Sequence, residues 1–118
     1  MSDEYKVVKT KKSGTKAHKK ADVVRLKKVY TATIYKTDGS TITVTEPKSF
    51  FTLGWFHKAV KGLIETYPCD NKRTFVMNEE GLLIPLPRND FIKKAFPEEM
   101  EGMEFYGDVV VVPNAVMN

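Results

Sequence analysis

The stretch NEEGLLIPLPRND, residues 78–90, sets two adjacent carboxylates, Glu79 and Glu80, beside a glycine and closes on an Arg-Asn-Asp cluster. A carboxylate pair is what general acid–base hydrolysis requires, but the two groups must flank one substrate. Neighbouring residues on an extended chain point to opposite faces, so Glu79 and Glu80 read instead as the polar approach to a turn that Gly81 completes. An EF-hand is excluded because the alternating Asp/Asn ligand ladder is missing.

The other reactive side chains are few. His18 sits among lysines, and His57 falls beside the apolar stripe of an expected helix, without a carboxylate one turn away. Cys69 lies between Pro68 and Asp70, with no base or helix start to generate a thiolate. Gly102 and Gly107 are too widely spaced for a phosphate-cradling loop. The expected catalytic, cofactor and metal sets are therefore empty. An enzyme remains an alternative only if two of Glu79, Glu80, His57 and Cys69 converge in one cleft.

Two further groups of residues suggest binding rather than catalysis. Lys9, Lys11, Lys12, Lys16, Lys19, Lys20, Arg25, Lys27 and Lys28 crowd the N-terminal region, a density that displaces counterions from a polyanion. Only one of them is an arginine, which favours diffuse phosphate attraction over bidentate reading of bases. The run SFFTLGWF supplies clustered rings, from which Phe51 and Trp55 are the expected anchors for a protein partner.

Charge is distributed unevenly over the 118 residues. Residues 1–28 carry ten Lys and Arg against three acidic groups, +7, and the rest carry nine against twelve, −3. Residues 1–22, with close-packed lysines and few aromatics, are expected to be a flexible basic arm ahead of a single domain over residues 23–118. A hydrophobic fraction of 42% suits one modest core. One cysteine precludes an internal disulfide and a Cys-rich zinc module, and fits a reducing compartment. No apolar run approaches the roughly 20 residues that cross a bilayer, and the start is too charged for a secretory leader. An intracellular protein is expected, in the host cytoplasm or nucleus or in a virion, with no membrane partner.

The positioning elements follow from periodicity. VYTATIYKTDGSTITVTEP predicts a hairpin turning at Asp38-Gly39, with Ile42 and Val44 inward and Pro47 ending the second strand. Leu53, Phe56, Val60, Leu63 and Ile64 recur at helical spacing, with Ser49 or Thr52 able to cap the helix. Gly54 and Gly62 imply close backbone packing or a helix shorter than this stripe. TYPCD predicts a short edge strand, KRTFVMN a better one, and LLIPLP its return after the EEG turn. Asn89 or Asp90 caps a short helix that Pro97 ends, and VVVV, residues 109–112, reads as a strand covered on both faces. The order β-β-α-β-β-β-α-β makes this α+β: a mixed or antiparallel sheet packed by one main helix.

FVMNEEGLLIPLPRN and YGDVVVV, behind the helix over residues 53–64, resemble the small uncharacterised domain of unknown function carried by phages, plasmids and large DNA viruses. The resemblance covers about residues 53–112 and departs at ETYPCDN, where that family more often has a Gly-Gly-aromatic lead into the strand. It implies a viral or mobile-element context and an accessory role, with no activity to carry over. The expected function is a non-enzymatic accessory protein. Its body binds a partner or assembles, and its arm contacts nucleic acid or another acidic surface, with a minor virion component as the alternative.

Overall fold

A computed structural model describes residues 4–10, 23–81 and 83–118. The last strand in the chain is the centre of the sheet. Strand β2 (Val23–Tyr35) forms a hairpin with β3 (Thr41–Pro47), and β4 (Ile64–Pro68) forms one with β5 (Arg73–Asn78). Strand β6 (Val109–Pro113) enters between β2 and β5, pairing Val111 with both Thr33 and Phe75. Thr33, Ile34 and Tyr35 have β3 on one side and β6 on the other. These five strands run β3-β2-β6-β5-β4, all antiparallel, and a sixth, β1 (Glu4–Thr10), pairs with the start of β2.

Four consecutive valines need cover above and below, and both layers are present. Val110 and Val112 join Ala32, Ile34 and Val76 beneath Phe51, Phe56, Val60 and Val116. Phe56 and Val60 come from the main helix α1 (Leu53–Val60), and Val116 from the short last helix, α3 (Asn114–Met117). On the opposite face Val109 and Val111 meet Phe75 and Met77 beneath Ile92, Phe96, Met100 and Phe105. That second layer is α2 (Asp90–Ala95) and the irregular chain after it. The α+β class and the single main helix agree with the sequence.

Local chemistry explains the boundaries. Gly39 takes φ 93° in the first hairpin, where Asp38 Oδ1 accepts from Ser40 N at 2.8 Å. Thr52, rather than Ser49, caps α1 by accepting from Trp55 N at 3.1 Å, and Asn89 caps α2 by accepting from Phe91 N and Ile92 N. Helix α1 ends before its apolar stripe does. Lys61 turns into the left-handed region at φ 65°, and the N–H groups of Lys61 and Gly62 both donate to His57 O. Leu53 and Leu63 consequently face solvent. Asn78, buried at the end of β5, closes this helix end by donating to Val60 O at 3.1 Å and Lys61 O at 3.2 Å.

Two expectations are corrected. The return strand over LLIPLP does not form. Leu83 N and Ile84 N both donate to Glu80 O, at 2.9 and 2.8 Å, and Leu86 N donates to Gly81 O, which makes the segment a succession of turns. Both edges of β5 are occupied by β4 and β6, leaving a return strand nowhere to pair. Ile42 is exposed at the start of β3, although Val44, two residues on, packs against the first core layer. Of the expected arm, residues 1–3 and 11–22 lie outside the described residues; Glu4–Thr10 is strand β1, paired with residues 23–29 of β2.

Two adjacent substitutions test the end of α1 with opposite signs. A Cβ on Gly62 would lie 2.6 Å from Asn78 Nδ2, so Gly62→Ala should lower stability to urea by about 1–3 kcal/mol. Lys61→Gly relieves the left-handed conformation and should raise it by up to about 1 kcal/mol.

Candidate functional site

The candidate catalytic groups do not converge. Glu79 and Glu80 leave β5 on an exposed turn, in which Glu80 N donates to Asn78 Oδ1 at 2.7 Å and Glu79 N to Leu63 O at 2.9 Å. Their backbone amides hold the turn, and only Glu79 lines the neighbouring cleft. His57 belongs to α1, which covers one face of the sheet, whereas Cys69 packs with Phe75 and Phe96 on the other. His18 lies outside the described residues. Among the described residues no group of three His, Cys, Asp or Glu side chains could hold a metal ion.

Cys69 sits in a tight hairpin that its neighbours determine. Asp70 Oδ1 accepts from Lys72 N at 2.8 Å and Arg73 N at 2.7 Å. Its Oδ2 takes both Arg73 Nε at 3.0 Å and Nη2 at 2.7 Å, a bidentate pair. The Arg73 side-chain hydrogen bonds hold the Asp70 carboxyl below its usual range, with the Lys72 amide adding to the effect. Burial pushes the Cys69 thiol up, and the nearby Arg73 guanidinium only partly opposes this. A thiol displaced in that direction is a poor nucleophile at neutral pH. The guanidinium also lies 5.0 Å from the Phe96 ring centre, tying the hairpin to the second layer.

One concave feature occupies the β4 side of the sheet. A cleft of about 400 Å³ opens between Glu65 and Tyr67 on β4, Met77, Asn78 and Glu79 at the end of β5, and the loop over residues 103–106. Tyr67 and Phe105 meet edge to face at 6.2 Å, and Tyr106 adds a third ring. Glu104 is shared: Arg88 Nη1 reaches it at 3.3 Å while Arg88 Nε binds Asp90, and Tyr106 OH donates to it at 3.2 Å. Glu65 and Glu79 have no cationic partner among the described residues. The cleft is thus acidic and aromatic together. Sequence reasoning missed it because Glu65, Glu79 and Glu104 come from three separate segments; the visible signal was the acidic excess of PEEMEGMEFYGD.

The binding residues fare unequally. Phe51 is 7% exposed and packs in the first core layer, so it is corrected from partner anchor to core residue. Trp55 is half-buried, stacked edge-on between Phe51 and Phe56 at 5.0 Å from each, while Phe50 and Leu53 beside it are exposed. Lys27 and Lys28 are exposed on β2, with Lys28 Nζ 5.5 Å from the Tyr30 ring centre. Lys11, Lys12, Lys16, Lys19 and Lys20, and the side chains of Lys9 and Arg25, lie outside the described residues. Among the described residues no helix is long and apolar enough to cross a membrane.

No family model matches the chain, and no curated protein or solved structure does. The site is therefore read from its own residues.

Two measurements follow from the Cys69–Arg73 hairpin. A depressed carboxyl pKa stabilises the fold above the unfolded-state value near 4 and is lost as pH falls through the folded one. The stability difference between the native chain and Asp70→Asn, below about 1 kcal/mol for so exposed a pair, should be present at pH 6 and shrink as the pH falls from about 4 through the depressed folded-state value. Cys69 should react with a thiol-specific disulfide reagent at pH 8 at least about tenfold more slowly in the folded chain than in urea.

Proposed function

We propose that this chain is a non-enzymatic accessory protein of a virus or mobile element, which holds a polyanion through its lysine-rich leader and a protein partner through its folded body. The observation that carries the reading is the segregation of charge, +7 over residues 1–28 against −3 over the remainder. A protein that bound nucleic acid across its folded surface would be basic there. Here Glu65, Glu79 and Glu104 gather around one cleft of the body, while ten of the nineteen Lys and Arg precede the body, in residues 1–28.

The position of β2 supports the same division of labour. It pairs with β3 from Val29 onward and with β6 from Thr33, so residues 23–28 run beyond the five-strand body, paired with β1 alone. Exposed Lys27 stands on that extension.

The viral or mobile-element context rests on the resemblance of FVMNEEGLLIPLPRN and YGDVVVV, and the role inside the host cell or particle goes with it. The dispersal of Glu80, His57 and Cys69 over the turn, the helix layer and the opposite core layer supports binding over catalysis. The partner surface is the patch where exposed Phe50 and Leu53 flank Trp55.

The test is fluorescence anisotropy with a generic DNA duplex across a salt series. Replacing Lys11, Lys12, Lys16, Lys19 and Lys20 together by Gln should weaken binding and reduce the magnitude of the log–log salt slope by about 4. An unchanged affinity and slope would remove the polyanion from the proposal.

A further inference from the structure

We propose that the cleft lined by Glu65, Glu79, Tyr67 and Phe105 receives lysine side chains from residues 11–22 of a second copy of this chain. The cleft's chemistry selects an ammonium group. Glu65 and Glu79 offer carboxylates with no cationic partner among the described residues, and Glu104 is already shared with Arg88. The rings of Tyr67 and Tyr106 supply faces against which a lysine stem packs and a cation is attracted. At about 400 Å³ the space is large enough for more than one such side chain.

The same chain contains the complementary segment. Residues 11–22 hold Lys11, Lys12, Lys16, Lys19 and Lys20 against a single acid, Asp22, and contain no arginine. Strand β4, beside the cleft, is an outer strand that pairs only with β5 among the described residues, so an extended segment also finds a free backbone edge there.

Reach decides between the chain's own segment and a second copy's. The segment is anchored at both ends, where Thr10 pairs with Val23 at the start of β2. The cleft is at the other end of the sheet, because the pairings of β6 place Asn78 and Glu79 beyond the level of Tyr35, the end of β2. A 13-residue strand at roughly 3.3 Å per residue separates the two levels by about 40 Å. A closed loop of this length extends at most about 20 Å from its anchors. The segment therefore reaches a neighbour's cleft and not its own.

This contact draws on the leader invoked above but does not require nucleic acid, and the two separate experimentally. Sedimentation velocity of the full chain should show concentration-dependent association at about 50 mM salt that is lost near 500 mM. Glu65→Gln with Glu79→Gln, both at exposed positions, should weaken association about tenfold while leaving the DNA salt slope unchanged. A chain carrying Glu65→Lys and Glu79→Lys, and another carrying Lys16→Glu, Lys19→Glu and Lys20→Glu, should each be monomeric alone and associate when mixed. A native chain that stays monomeric at low salt, association indifferent to Glu65 and Glu79, or failure of the swapped pair to associate would each overturn the proposal. The DNA slope of the Glu65→Gln/Glu79→Gln chain reports on polyanion binding independently.

Discussion

Covering a strand of valines on both faces is the constraint from which the rest of this structure follows. Residues 109–112 bury every side chain, with Val109, Val110 and Val112 at 0% exposure. A strand of that kind cannot form an outer edge or lie on a one-sided sheet without leaving apolar area in water, at about 25 cal/mol per Å². It therefore becomes the central strand, with two hairpins flanking it and a layer on each side. Helix α1 with Phe51 and Val116 supplies one layer, and Ile92, Phe96, Met100 and Phe105 the other. Phe75 joins the second layer tightly, meeting Phe96 and Phe105 edge to face at 5.5 and 5.3 Å.

Buried amides then join the layers to the sheet. Asn89, 1% exposed, donates to Tyr35 O and Gly107 O while its Oδ1 caps α2, so one side chain connects β2, the approach to β6 and a helix. Asn78 does the same for β5 and the end of α1, and Asn114 links the start of β5 to the end of β6 through Thr74 Oγ1 and Asn71 O. Asp108 accepts from Thr37 N at 3.1 Å beside Lys36, closing the first hairpin against β6. Among the described residues no buried side-chain polar atom is left without a partner. Such groups are costly when buried and unsatisfied, which makes Asn78, Asn89 and Asp108 fix how the layers sit.

The division of the molecule into two layers also sorts its chemistry. The sheet stands between the helix that carries His57 and the core layer into which the Cys69 side chain packs, while Glu79 and Glu80 occupy a turn at its end. What does come together is electrostatic: carboxylates from β4, the β5 turn and the 103–106 loop meet around aromatic rings. A mildly anionic body with a basic leader is suited to contacts that depend on ionic strength, whether the opposite charge belongs to a nucleic acid or to another copy.

Much of this was legible in the residues alone. Asp38-Gly39 announced a hairpin, Phe56 and Val60 an inward helix face, Asn89 a cap, and the valine run a doubly covered strand, because each signal is local and the backbone chemistry behind it acts within a few residues. Three features were decided only in three dimensions. LLIPLP became turns because β6, arriving from more than twenty residues later, had taken the edge of β5. Phe51 went to the core and Ile42 to solvent because the layer over this face reaches the later half of β3, where Val44 packs, and not its start. The acidic cleft exists because β4, the β5 turn and the loop before β6 are neighbours in space though far apart in sequence. Period and turn chemistry specify which elements form; which edge each one occupies depends on competition between distant segments for the same hydrogen bonds and the same buried surface.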